Sequence, residues 1–398
     1  MAKMYDVAVV GAGPAGSTVA GALARQGFST IILERKRTVG VPVQCGELLP
    51  TPAEMRELFP RAKRAPRLVD VPSRLITNST SVIRLISPRN SIFEFGFAAN
   101  IIDRTHFDQW LAENAMDSGA ELCLQTNLLS RKSSSELEAK GPSGRQTIRA
   151  KVIVGADGPR SIISRSIGNK YSNLGRDMSA SAQYVMDGVE ADSDVVEMYF
   201  GSTVAPGGYL WNIPKGEGSA NIGLGLREQY KASGVAPRTY LEQVVKKHKI
   251  VSILTQRATI RSRVGAFIPV GGPVAKTFGS QTVLVGDAAG HVMACNGGGI
   301  PSAMVGGEIA SEIVANNLEF GEALSKYEPK WRSEMGQELG TALSILRIAD
   351  RVMTSDSLTD QCMRLAGARF LEPLIKCRLP LLVDLASKTF VRVLENLE

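Results

Sequence analysis

The chain has 398 residues, 44% of them hydrophobic and 21% charged, values of an ordinary globular protein that exclude disordered and fibrous classes. At roughly 150 residues per domain this length suits two to three domains with a sizeable core. Lys+Arg 46 against Asp+Glu 39 leaves +7, which favours an acidic partner over a basic one without marking a nucleic-acid binder, and 3 His with no C-x-x-C give no zinc pattern.

Residues 5–10 are a short β-branched run, the composition of a buried parallel strand. A turn at 11–16 leads into helical spacing over 14–27, and 29–33 is a second strand ending at Glu34, which completes a β-α-β unit. A short helix is expected over 51–59, with Thr51 as cap, Pro52 in the first turn and Glu54 three residues after the cap. The Pro-punctuated run 61–67 reads as a linker. With Arg56 it gathers Arg61, Lys63, Arg64 and Arg67 around the lone acid Glu57, either a solvated loop or a face for an anionic headgroup. Strand character returns over 73–97, broken by the turn Ser87-Pro88-Arg89-Asn90. A helix capped by Asp103 is expected over 103–118, then strands over 122–128 and 146–154, the second entering Gly155-Ala156-Asp157-Gly158.

The alternation over 195–226, with a turn at Lys215-Gly216-Glu217-Gly218, reads as an antiparallel hairpin. A helix is expected over 238–248 and a buried strand over 282–285. Residues 288–307 carry no Asp, Glu, Lys or Arg, but six Gly with Pro301, Asn296 and His291 make them a loop entering a helix rather than a bilayer span. From 302 onward the period is helical, with breaks near Pro373 and Pro380; the apolar stretch 379–394, carrying Lys388 and Arg392, suits either a membrane interface or a domain cap. No apolar signal segment follows Met1-Ala2-Lys3-Met4, so a cytoplasmic protein is expected. The five Cys read as mostly free thiols, with a Cys362–Cys377 pair left open.

Gly11-Ala12-Gly13-Pro14-Ala15-Gly16 follows a strand and opens a helix. Gly11, Gly13 and Gly16 permit a tight turn and close approach of a pyrophosphate to the helix N-terminus, and Glu34 is placed to accept ribose hydroxyls. Two later strands end in acidic glycine turns, at Asp157-Gly158 and at Gly286-Asp287-Ala288-Ala289-Gly290. A carboxylate there suits a ribityl hydroxyl, so this order of motifs points to FAD rather than NAD.

The order resembles the p-hydroxybenzoate-hydroxylase-type FAD superfamily. Within it the chain is similar to the geranylgeranyl reductase family, most closely the archaeal digeranylgeranylglycerophospholipid reductases. The resemblance rests on Cys45-Gly46-Glu47, Asp103-Arg104-x-x-Phe107-Asp108, Tyr209-x-Trp211-x-x-Pro214, Ile268-Pro269-x-Gly271-Gly272-Pro273 and Gly286-Asp287 through Gly297-Gly298-Gly299-Ile300. It covers residues 1 to about 330 and weakens in the tail. It implies an α/β protein with a Rossmann-type FAD-binding domain (1–70, 101–170 and 275–330), interleaved with an antiparallel-sheet substrate domain (71–100 and 171–274). A helical C-terminal region over 331–398 follows. Carried over, Ala15, Glu34, Cys45, Gly46, Leu48, Arg104, Leu128, Asp287, Gly299 and Ile300 contact FAD, Leu128 through its backbone. Arg104, at a helix start, reaches phosphate or ribityl oxygens, against a plain reading as a solvated arginine.

The implied activity is reduction of isolated C=C bonds in geranylgeranyl chains, which needs reduced flavin on one alkene face, a proton source and a dry apolar tunnel. Cys45 is the catalytic candidate, against a reading as a small buried hydrophobe, and Glu47 is a second proton source, against a structural role. Tyr209 and Trp211, two apart on a strand, share one face and with Pro214 form the expected substrate wall. The implied partners are the prenylated glycerophospholipid, an electron donor (a nicotinamide cofactor or small redox protein) and, peripherally, the cytoplasmic face of the membrane. Two other readings compete. A flavin monooxygenase or halogenase fits the superfamily, and Gly208-Tyr209-x-Trp211-x-Ile213-Pro214 is similar to the halogenase motif. However, Gly290 and Ala294 stand where hydroxylases show His and Pro. A flavin-free prenyl-lipid carrier is opposed by the intact fingerprint, Glu34 and Asp287.

Overall fold

The computed structural model describes residues 3–170, 177–232 and 234–378. Strand β1 (Met4–Val10) is apolar on both faces, with Val7, Ala8 and Val9 fully buried, as a central parallel strand requires. It pairs in parallel with β2 (Thr30–Leu33), Val7 opposite Thr30. On its other side lies β9 (Gly144–Gly155), Val7 opposite Val152. Helix α1 (Pro14–Arg25) makes the crossover, so the expected β-α-β unit is present. The sheet continues through β6 (Glu121–Cys123) beyond β2, and through β16 (Thr282–Leu284) and β15 (Phe278–Gly279) beyond β9. A hairpin of β7 (Asn127–Arg131) and β8 (Glu136–Gly141) extends β9. The single strand expected over 122–128 is therefore two, separated at Gln125, whose φ of 51° turns the chain.

The second sheet runs in the order β14 (Thr259–Pro269), β10 (Met178–Asp187), β13 (Ser219–Arg227), β12 (Tyr209–Gly216), β11 (Val195–Tyr199), β4 (Ile76–Ile86), β5 (Ile92–Ile102) and β3 (Leu48–Pro50). The region 195–226 thus holds three strands, and β11 pairs in parallel with β4. Strands β10 and β14 escape sequence reading. Strand β14 alternates exposed and half-buried positions at the sheet edge, with Arg261, Arg263 and Gly265 interrupting its apolar residues. Segments of the two sheets interleave along the chain, and Leu48–Pro50, assigned by sequence to the first segment of the FAD-binding domain, pairs with β5 of the second sheet.

Thr51 caps α2 (Pro52–Leu58) by accepting the Glu54 backbone N–H. The Glu54 side chain does not reach back to the cap; it turns inward and accepts the Ala98 N–H at 3.1 Å. The basic linker is not a solvated loop. It forms a helical turn, α3 (Ala65–Leu68), whose arginines meet glutamates of the C-terminal helices: Arg61 with Glu338 at 3.0 Å, Arg64 with Glu334 at 2.9 Å and Glu312 at 2.7 Å, Arg67 with Glu308. Asp103 caps α4 (Arg104–Asp117) as expected, accepting from Thr105 and His106. Short helices α5 (Ile162–Ser166), α6 (Pro237–Lys247) and α7 (Val251–Leu254) decorate the sheets.

Helix α8 (Ile300–Phe320) packs beside α1, where a Cβ on Gly307 would lie 2.8 Å from the Ala15 carbonyl oxygen. Gly321 ends it in the left-handed region. Then come α9 (Tyr327–Trp331), a π-helical turn (Arg332–Gly336), α10 (Gln337–Val352) and α11 (Asp356–Ile375). The break expected near Pro373 falls instead at Gly367, with φ 61°, and Pro373 stays inside α11. Pro380 and the apolar stretch 379–394 lie outside the described residues. No helix among the described residues is long and apolar enough to cross a membrane.

Candidate functional site

The fingerprint turn is shaped by contacts that exclude side chains. A Cβ on Gly11 would lie 2.3 Å from the Ala156 carbonyl oxygen, and one on Gly16 1.9 Å from that of Gly11. A Cβ on Gly13 would meet nothing within 4 Å, so the turn stays open on that side. No side chain caps α1, which leaves its first N–H groups free for an anion. Glu34, buried at the end of β2, accepts the Ala12 N–H and the Lys36 N–H, both at 2.9 Å, and so locks the turn. Asp157 plays a different part from the expected ribityl contact. It accepts from Ser161 and from the Ile162 and Ile163 N–H groups and caps its own short helix.

The opposite wall is the turn Gly286–Ala289. Gly290 follows in the left-handed region, and a Cβ there would lie 2.3 Å from the Gly272 carbonyl oxygen. The Asp287 carboxyl has no hydrogen-bond partner among the described residues, and desolvation pushes its pKa up to about 6 against the pull of Arg104. Gly299 begins α8 with no side-chain cap, followed by buried Ile300. Two uncapped helix N-termini and an open carboxyl therefore face the groove, a donor and acceptor set that fits the pyrophosphate and polyol of FAD.

Cys45 lies half-buried on the loop between β2 and β3. Its sulfur accepts the Glu47 N–H at 3.2 Å. A Cβ on Gly46 would approach Ile213 Cδ1 to 2.8 Å, so the loop lies flat against β12. Arg104 is not a solvated arginine. It forks onto Asp108 at 2.9 and 2.8 Å. Burial opposes its charge, but Asp108 and then the Cys45 thiol outweigh this and raise its pKa. Glu47, with φ 70°, is buried with both oxygens engaged. It accepts the Arg104 N–H at 3.0 Å and Asn221 at 2.7 Å, and pairs with Lys215. That is a structural bridge, and a proton source is not free there.

The loop borders an apolar cavity of about 540 Å³ between the second sheet and the C-terminal helices. Cys45, Gly46, Leu48, Tyr209, Trp211, Gly299 and Ile300 all line it, which brings flavin-side and substrate-side residues together. Pro214 is not part of the lining; it sits at a bulge in β12, and its carbonyl accepts from Asn78. Leu128 is buried in the β7–β8 hairpin, apart from the cavity. The Tyr209 hydroxyl donates to the Asn296 carbonyl at 2.5 Å, and burial, with Cys295 and Cys377 nearby, raises its pKa. All five cysteines are free; Cys377 faces Cys295 at 3.1 Å, not Cys362.

Two positioning residues escaped sequence reading. Gln183 accepts the Trp211 indole N–H at 3.0 Å and donates to the Cys45 carbonyl at 3.0 Å. Asn221 donates to the Gly46 carbonyl at 3.1 Å as well as to Glu47. Both sit on strands of the second sheet, and only their polarity within an apolar run marks them in the sequence.

A geranylgeranyl reductase catalytic domain model matches residues 177–266, and an FAD binding domain model matches residues 4–50. Digeranylgeranylglycerophospholipid reductase 2 of Methanopyrus kandleri is 34% identical over 354 residues, 86% of this chain and 86% of that protein. The crystal structure of a geranylgeranyl bacteriochlorophyll reductase-like protein from Thermoplasma acidophilum superposes with TM-score 0.81 at 25% identity, covering 94% of this chain and 96% of that one. A flavin-dependent brominase shares the fold, with TM-score 0.72 at 17% identity over 100% of both chains. With the fingerprint, the cavity and these relatives together, the chain belongs to the geranylgeranyl reductase family.

Proposed function

We propose that this protein is an FAD-dependent reductase that saturates isolated C=C bonds in the geranylgeranyl chains of archaeal digeranylgeranylglycerophospholipids, as a step of membrane lipid biosynthesis. The observation that carries this reading is the opening of the cofactor-side loops, Cys45-Gly46 and Gly297 to Gly299, onto one apolar cavity of about 540 Å³. An isolated alkene has no carbonyl to accept charge, so hydride and proton must arrive together in a dry site. Reduced FAD supplies the hydride when bound. The aromatic pair Tyr209 and Trp211, ring centroids 6.0 Å apart, holds the alkene at the wall. The Cys45 thiol, beside the Arg104 guanidinium, delivers the proton to the less substituted carbon and takes another from solvent after turnover. Gly11, Gly13, Ala15, Gly16, Glu34, Leu48, Leu128, Asp287, Gly299 and Ile300 hold the cofactor.

A nicotinamide cofactor or small redox protein supplies electrons, and the protein works peripherally at the cytoplasmic membrane face, where its substrate resides. The test is anaerobic turnover with a chemical reductant and a digeranylgeranyl phospholipid. Products gaining one pair of hydrogens per double bond support the reading. Lipid left unsaturated while added oxygen is consumed on an aromatic substrate contradicts it.

A further inference from the structure

Among the described residues, three charged side chains line the cavity, Glu47, Arg227 and Lys376. Glu47 is engaged as described, and Lys376 is held between Glu54 and Glu372, each at 3.0 Å. Arg227 is different. It ends β13, is 2% exposed, and bonds through Nη1 to Asp350 on α10. Its Nε and Nη2 are buried and have no hydrogen-bond partner among the described residues. Arg347, 3.8 Å from Asp350 and 3.1 Å from Asp177, leaves its Nη1 unfilled as well. Among the described residues, the fully buried side-chain atoms of this cluster that lack a hydrogen-bond partner are all arginine donors. Buried donors without acceptors cost free energy, so the cluster favours a ligand that brings oxygen. The neighbouring lining includes Ile348, 36% exposed, so this end of the cavity reaches the surface.

We propose that Arg227 anchors the phosphate of the lipid headgroup, fixing the polar end of the amphiphile while its apolar chains run along the cavity toward Cys45. A planar guanidinium with two free donors matches a phosphate oxyanion, and in a wall otherwise apolar or satisfied it selects for the phosphorylated lipid. This rests on the reading that the cavity takes prenyl lipid. Arg227 is a substrate-binding residue, and the chemistry remains at the other end.

The test is binding to the oxidised, FAD-loaded full-length protein, so that no turnover intervenes. The probes are digeranylgeranylglyceryl phosphate and digeranylgeranylglycerol. The wild type is expected to prefer the phosphate by about tenfold or more, the scale of one charge-assisted hydrogen bond. R227K and R227Q reduce that ratio toward one by weakening the phosphorylated lipid more than the neutral one. D350N, which frees Nη1 and removes the opposing charge, raises the ratio and decides the question if the Arg227 variants do not fold. An unchanged ratio in R227K, or equal loss for both lipids, overturns the proposal. Inorganic phosphate binding as tightly as the phospholipid, and equally dependent on Arg227, assigns the site to free phosphate and overturns it too. Alkene reduction by the wild type is scored separately. A collapsed binding ratio without any reduction leaves this anchor standing and sinks the reductase reading; reduction with an intact ratio does the reverse.

Discussion

Gly46 sits where β12 leaves no space, because a methyl group there would press Ile213 Cδ1 at 2.8 Å and come within 3.9 Å of Trp211 Nε1. Gly46→Ala is therefore expected to lift the Cys45 loop off the sheet. A displacement near 1 Å at a reacting group costs on the order of a hundredfold in rate, so kcat should fall by about that much while FAD content holds. Anaerobic turnover with flavin absorbance on the same sample checks both. Asp287 gives a pH signature. Its carboxyl, ordinarily at 3.8, is pushed up to about 6 by desolvation in the flavin-free protein. The folded state then binds the proton more tightly than the unfolded chain. The stabilisation is fully present below about pH 4 and is lost as pH rises through about 6. Asp287→Asn removes this dependence. The flavin-free variant should be more stable than wild type at pH 8, by up to about 3 kcal/mol, and converge with it toward pH 4. Thermal melts across pH measure this, and the same variant should bind FAD more weakly if Asp287 accepts from the ribityl chain, because an amide replaces one carboxylate oxygen with a donor and removes the charge.

At the scale of elements, the loop carrying Cys45 is held from strands distant in sequence. Gln183 lies 138 residues from Cys45, and Asn221 lies 175 from Gly46. Gln183→Ala leaves the Trp211 indole N–H and the Cys45 carbonyl without partners, a loss of about 1–3 kcal/mol, with a red shift of Trp211 fluorescence as its ring loosens. A lower melting temperature with unchanged fluorescence would mean Gln183 does not orient Trp211. These links explain what was legible in the sequence. The Thr51 and Asp103 caps and the 87–90 turn are local, with partners within a few residues, and the fingerprint turn is legible from its glycine spacing although Glu34 and Ala156, which shape it, stand farther along the chain. The arginines of 61–67 misled because their partners, Glu308, Glu312, Glu334 and Glu338, are more than 240 residues away and no local pattern pairs them. Asp157 misled in the other direction. Its strand-end position matched a cofactor contact, but Ser161, four residues on, made a helix cap available.

At the scale of the whole molecule, two sheets are threaded by one chain that crosses between them repeatedly. The first sheet presents strand ends and helix N-termini to the cofactor. The second presents an aromatic face, and the C-terminal helices cover it to enclose the cavity. Composition and periodicity reveal such layers, and the motif order reveals the cofactor. The cavity itself depends on α10 and α11 folding over β12 and β13, a long-range contact that no spacing in the sequence encodes. The account's central claim is that flavin and apolar cavity meet, so that electrons pass from cofactor to alkene without oxygen. The most direct measurement is a single anaerobic mixing of the photoreduced, FAD-loaded protein with digeranylgeranyl phospholipid, followed by flavin absorbance. The account predicts that the oxidised flavin spectrum returns in step with saturation of the lipid. Flavin that stays reduced in the presence of the lipid and reoxidises only when oxygen is admitted would contradict it.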